Sequence, residues 1–181
     1  GNSTTNFKGT FDGNGKTISG IYISSTSAYR GLFGIIGKNG SVKELNVSGN
    51  VRGAGNTGGI VGENAGTVYK CSSNVTVTSS GYLVGGVVGY NTGLITCCYN
   101  SGGVSTSLDA VGGIAGRNNG VIRNCYNVGS IYAGEYAAGG IVGHNSCGSS
   151  NTGKTFTCYN KASVGSRYSR NRGNSRIRRM G

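Results

Sequence analysis

Six cysteines, one histidine and five acids are the residues of this 181-residue chain best suited to chemistry. Their spacing decides which chemistry is open to them. Cys71, Cys98, Cys125 and Cys158 occupy one recurring slot, which Leu45 fills in an earlier copy. Thiols in such a column serve either as small buried apolar groups or as a metal or disulfide framework. A column in stacked layers does not converge on a tetrahedron and no His joins it, so buried packing is expected, with no metal and no other cofactor. Cys97 and Cys147 fall outside the column. Cys147 and Cys158 bracket an insertion, and a disulfide between them would staple it, a pairing that spacing alone leaves open.

The remaining polar residues do not assemble a catalytic set. His144 shares its slot with Glu63, Tyr90 and Arg117, chemistry too mixed for a recurring base. The acids Asp12, Glu44, Glu63, Asp109 and Glu135 fall in no common column, so paired carboxylates for glycoside cleavage are not formed by the repeat. Ser and Thr are plentiful, yet one uncommitted His supplies no base for a nucleophile. Calcium-binding glycine repeats need a regular Asp, and an ice-binding face needs a Thr ladder; neither is present. The chain is expected not to be an enzyme.

Two asparagine columns, Asn64, Asn91, Asn118, Asn145 and Asn100, Asn127, Asn160, read as structural, because Asn tolerates left-handed backbone and its amides stack in ladders. Tyr99, Tyr126 and Tyr159 follow the Cys column. They are placed for cross-strand packing or for binding a sugar or partner. Between the columns lie variable arms, 52–57, 78–84, 105–111 and 132–138, which carry Tyr82, Asp109, Glu135 and Tyr136 and form the expected interaction surface. Charge is uneven. Positions 1–166 hold 11 Lys/Arg against 5 acids, whereas positions 167–181 add Arg167, Arg170, Arg172, Arg176, Arg178 and Arg179 with no acid. That tail is a candidate polyanion binder, though it lacks a nucleic-acid-binding motif.

The elements that carry these residues follow from periodicity. Gly58-Gly59-Ile60-Val61-Gly62 recurs at 85–89, 112–116 and 139–143, always at a step of 27. A divergent copy, Gly31-Leu32-Phe33-Gly34, precedes the Gly59 copy at a step of 28. Val68, Ile95, Ile122 and Val77, Val104, Ile131 keep phase with the glycines. A fixed period of this length marks a solenoid. Three β-prone pieces per repeat (residues 59–62, 67–72 and 75–79), separated by Gly and Asn turns, predict an all-β fold. It would be a three-sided parallel β-helix of about five coils stacking to about 24 Å. Residues 1–30, with Phe7 and Phe11, read as an N-terminal cap or starter coil; 31–164 as the repeats; 165–181 as a flexible basic tail. No apolar run could span a bilayer, and with no signal peptide and no initial Met the chain reads as cut from a longer protein or as having had a leader removed.

The run Gly-Gly-Ile-Val-Gly-Glu-Asn-Ala-Gly-Thr-Val at 58–68, the Cys-Tyr-Asn of later copies and the lead-in Phe-Asp-Gly-Asn-Gly-Lys-Thr-Ile-Ser-Gly at 11–20 resemble the GLUG repeat over about residues 7–164. That resemblance implies an extracellular β-helix in large bacterial surface proteins, among them adhesin-like proteins and the non-catalytic regions of immunoglobulin A1-specific metallopeptidases. The leading expectation is therefore a secreted or cell-surface stalk or adhesive platform, whose partner is a host or neighbouring-cell protein or glycan. The alternatives are a targeting region of a secreted metallopeptidase and a subunit that self-associates through its solenoid ends into a fibre.

Overall fold

The computed structural model describes residues 2–146 and 153–168. Every strand pairing in it is parallel, and partners lie one repeat apart: Val61 faces Val88, Val88 faces Ala115, and Ala115 faces Val142. The protein is an all-parallel β-solenoid of about five coils with an N-terminal extension. One coil runs through strands Thr57–Gly58, Val61–Asn64, Thr67–Tyr69 and Ser72–Ser79, and each strand joins a separate sheet up the stack. The glycine-pair segment, expected as one face, is divided by a bend at Gly59 and Ile60 into two short sheets.

Those two sheets lie backbone to backbone, and glycine permits it. A Cβ on Gly116 would run into the backbone of Leu83 and Val84, one on Gly143 into Ala110 and Val111, and one on Gly89 into Asn56 and Thr57. The third glycine of each motif is thus a contact surface with the coil below. The divergent first copy is shorter by one residue at the bend: Arg30 pairs with Thr57 at a step of 27, but Phe33 pairs with Val61 at a step of 28.

The inward columns form one core. Val42, Val68, Ile95 and Ile122 are fully buried, as are Ile60, Val87 and Ile114. A lone coil would leave these side chains wet; stacking buries each against the equivalent residue above and below, at roughly 1.5–3 kcal/mol per side chain. At the N-terminal end Thr10–Asp12 and Thr17–Ser24 pair in parallel with Ser41–Lys43 and Asn46–Gly53. Phe7 and Phe11 pack on Phe33, with ring centroids at 5.3 and 5.4 Å. Asp12 pairs with Lys43 at 2.9 Å across the same junction. The last coil has no such cover among the described residues: Ile141, Val142 and Cys158 are only half-buried, and Phe156 and Val164 are exposed.

Candidate functional site

The Cys71, Cys98 and Cys125 thiols are buried in the core, and Cys158 is half-buried at the last coil. Each turns its Sγ to the carbonyl two residues back, at 3.3 Å for Cys71 and Cys98, 3.2 Å for Cys125 and 3.1 Å for Cys158. Burial pushes the Cys98 thiol well above its ordinary range, so it stays protonated and is no nucleophile. Cys97 is an exposed free thiol on a corner with φ 56°. Cys158 is a free thiol, and Cys147 lies outside the described residues. Among the described residues no three His, Cys, Asp or Glu side chains cluster to hold a metal ion.

Both asparagine columns are hydrogen-bonded amide ladders. Asn64 Nδ2 donates to Asn91 Oδ1 at 2.8 Å, Asn91 to Asn118 at 2.8 Å, and Asn118 to Asn145 at 3.0 Å. In the second, Asn100 donates to Asn127 and Asn127 to Asn160, each at 2.7 Å. The second glycine of each pair seats these amides: a Cβ on Gly86 would strike the Asn100 amide, and one on Gly113 that of Asn127. Ser73, paired with Asn100, holds the slot one coil earlier, and there Ser73 Oγ and Asn100 Oδ1 are buried without partners among the described residues.

On the surface, Tyr99, Tyr126 and Tyr159 form a stack, with centroids 5.4 and 5.2 Å apart and rings within 17° and 9° of parallel. Rings stacked along the solenoid axis give their faces to one another and their edges to solvent. A sugar lying across this column would therefore meet ring edges, not the faces that carbohydrate stacking uses. Tyr82, Asp109 and Tyr136 occupy equivalent positions on successive arms, where Tyr82 and Tyr136 are exposed and Asp109 is half-buried. Asp109 Oδ1 accepts from the Ala137 N–H, and the Glu135 carbonyl accepts from Tyr168 N at 3.3 Å. Tyr136 stacks obliquely on Tyr168 at 5.6 Å, and Arg167 lies over the Tyr168 ring at 5.7 Å. Arg170, Arg172, Arg176, Arg178 and Arg179 lie outside the described residues.

The acids are largely occupied by structural partners. Asp12 and Glu44 pair with Lys43 and Lys70. Glu63 Oε2 accepts from Asn56 Nδ2 at 3.2 Å, and burial raises its carboxyl above the ordinary range. His144 is exposed and paired in register with Arg117, which lies over the Tyr90 ring and donates from Nε to Ser146 Oγ at 3.1 Å.

Sequence reasoning did not find a concave site on the arm side of the first coils. Ser24, Ser25 and Thr26 from the N-terminal extension, Arg52 and Gly53 from the next coil and Ser80 from the one after line a cavity of about 470 Å³. Its only trace in the sequence is that Arg52 and Ser80 belong to the variable arms.

The class this fold and its columns define is a glycine-seated β-solenoid, and residues 108–132 match the GLUG motif. Over 78 residues the chain is 37% identical to a protein named as a Gly-rich membrane protein of Evansella cellulosilytica, covering 42% of this chain and 9% of that protein. Over 76 residues it is 36% identical to halomucin of Haloquadratum walsbyi, covering 41% of this chain and 1% of that protein. The matched segments are thus less than a tenth of either relative's length. No solved structure matches the chain.

Proposed function

We propose that this chain is a non-catalytic adhesive or spacing module of a secreted or cell-surface protein. The observation that carries this reading is the satisfaction of the constant columns from within: thiols to carbonyls, amides to amides, valines and isoleucines to one another. Constancy is thereby explained without a ligand, and variation is left to the arms, where solenoids place their contacts. The GLUG motif supports a surface setting, and both relatives are far longer proteins, one named as a Gly-rich membrane protein and the other as halomucin. No helix among the described residues is long and apolar enough to cross a membrane. Beads coated with the chain should attach to cells or to arrayed glycans and proteins more strongly than beads carrying a Tyr82→Ser, Asp109→Ser, Tyr136→Ser variant. Equal attachment by the two would remove the arms from the adhesive role.

A second reading, a subunit stacking end to end, draws on the last coil, where Phe156 is 51% and Tyr159 52% exposed beside open strand edges. Sedimentation at rising concentration tests it, and a constant monomer would end it. The metallopeptidase alternative draws on family resemblance alone. A His-Glu-x-x-His motif elsewhere in the parent protein would support it, and further repeats with a wall anchor would oppose it. Polyanion binding by the arginine tail remains a proposal of charge, tested by the salt dependence of heparin binding.

A further inference from the structure

We propose that the cavity beside the first coils binds the anionic group of an acidic sugar, a carboxylate or a sulfate ester. Three successive layers build it: Thr17–Ser24 pairs with Asn46–Gly53, placing Ser24 against Arg52, and Arg52 pairs in turn with Thr78. It is an open surface hollow of about 470 Å³, broad enough for one or two sugar rings to lie across it.

The lining has one charge and that charge is positive. No acid lines the cavity, and Arg52 makes no ion pair among the described residues; Asp12 and Glu44 are spent on lysines, and Asp109 on a backbone N–H. Behind Gly53 the Arg30 Cβ lies 3.3 Å from where a Cβ on that glycine would stand, and among the described residues Arg30 Nε is a buried donor without a partner. Arg52, the one charge in the lining, creates a local field that favours an anion.

The other groups suit a polyhydroxylated molecule. Ser25 Oγ accepts from Ser27 N at 3.1 Å, which leaves its O–H to donate outward. The hydroxyls of Ser24, Thr26 and Ser80 add further donors and acceptors at the rim. Among the described residues no aromatic ring lines the site, so a sugar would be held here by charge and hydroxyl contacts and not by ring stacking. The site occurs once, because the Arg52 position holds Thr78, Ser105 and Tyr132 in the coils that follow. Stoichiometry should therefore be one per chain.

The inference deepens the adhesive reading, and its test separates the two. The full chain is titrated calorimetrically, at about 0.15 M salt to screen the tail, with N-acetylneuraminic acid, a sulfated heparin disaccharide and neutral N-acetyllactosamine. One-site binding of an acidic ligand, weakened at least about tenfold by Arg52→Gln and unchanged by Arg123→Gln on another sheet, supports the site; which acidic ligand binds tells carboxylate from sulfate. Ser80→Ala provides a second, milder loss. Arg52 is exposed, so an unchanged melting curve verifies that the variant folds. No acidic ligand binding, equal binding of the neutral sugar, or indifference to Arg52→Gln overturns the proposal. Bead attachment that survives a failed titration overturns the pocket alone, whereas a filled pocket with no attachment overturns the adhesive role.

Discussion

Ser73 sits where the second amide ladder would begin, and its hydroxyl leaves Asn100 Oδ1 unmatched. Gly59 already opposes Ser73 as Gly86 opposes Asn100, so an amide has its seat. Ser73→Asn should add a rung and raise stability by about 1 kcal/mol, the net worth of one hydrogen bond. Asn118→Ala should do the reverse: it strips Asn91 Nδ2 of an acceptor in the core and removes the donor to Asn145 Oδ1, a loss of about 3 kcal/mol. Urea unfolding measures both, and an unchanged midpoint for Asn118→Ala would deny the ladder a structural role. The Asp12–Lys43 pair predicts a pH window. The Lys43 hydrogen bond, helped by the Asn14 N–H, holds the Asp12 carboxyl below its ordinary range, and Asp12 in turn raises Lys43. A depressed acid stabilises above its unfolded pKa and loses that stability as pH falls through the folded one; a raised base stabilises below its unfolded pKa and loses it as pH rises through the folded one. Protection of residues 10–12 from hydrogen exchange should therefore be highest between the two limbs, and Lys43→Met should flatten both.

The element that turns each coil between the third and fourth sheets is a single left-handed residue. Glu44, Lys70, Cys97, Asn124 and Thr157 hold it, with φ between 48° and 56°. Only Asn is suited to that conformation, and β-branched Thr157 suffers most. Thr157→Gly should stabilise the last coil by about 1 kcal/mol, while Asn124→Gly should change little. Gly116→Ala should act oppositely: its methyl would overlap the Leu83–Val84 backbone and cost more than about 3 kcal/mol, read as a lowered melting temperature. These elements divide what sequence reveals from what it conceals. The coil number, the parallel stack and the buried Val and Ile columns were legible because identical positions in phase must stack on one another. The reason for the glycines was not, since Gly86 seats the amide of Asn100 and Gly116 touches the strand start at Leu83 and Val84, partners that no local stretch of chain joins. The left-handed corner was hidden because Lys and Thr carry no sign of it. The cavity was hidden because Ser24, Arg52 and Ser80 lie in three different layers and in no column.

At the scale of the molecule, each coil packs chiefly on its neighbours, so the solenoid should behave as a one-dimensional array in which whole units can be removed but parts cannot. Deleting residues 87–113 joins Gly86 to Ile114, which takes the place of Val87 in the same core column. Every sheet keeps its register, Asn64 meets Asn118, and Cys71 meets Cys125. The shortened chain should fold cooperatively with the same parallel-strand circular dichroism and a denaturant slope smaller by about one part in seven, in proportion to the surface no longer buried. Deleting residues 87–116 removes only three more, yet it takes away Ala115 and Gly116, half of the second-sheet strand Ala115–Asn118. The coil would then fall roughly 10 Å short of closing. Excess length is tolerated, as shown by Tyr126 pairing with Tyr159 at a step of 33 while Asn118 still meets Asn145 at 27. The first copy shows that the bend can absorb a deficit of one residue, but three residues taken together with half a strand exceed what the bend can supply. The longer deletion should lose its cooperative transition where the one-coil deletion keeps it. A shared, intact transition in both would mean that the coils are held by local turns instead of by the register of the stack.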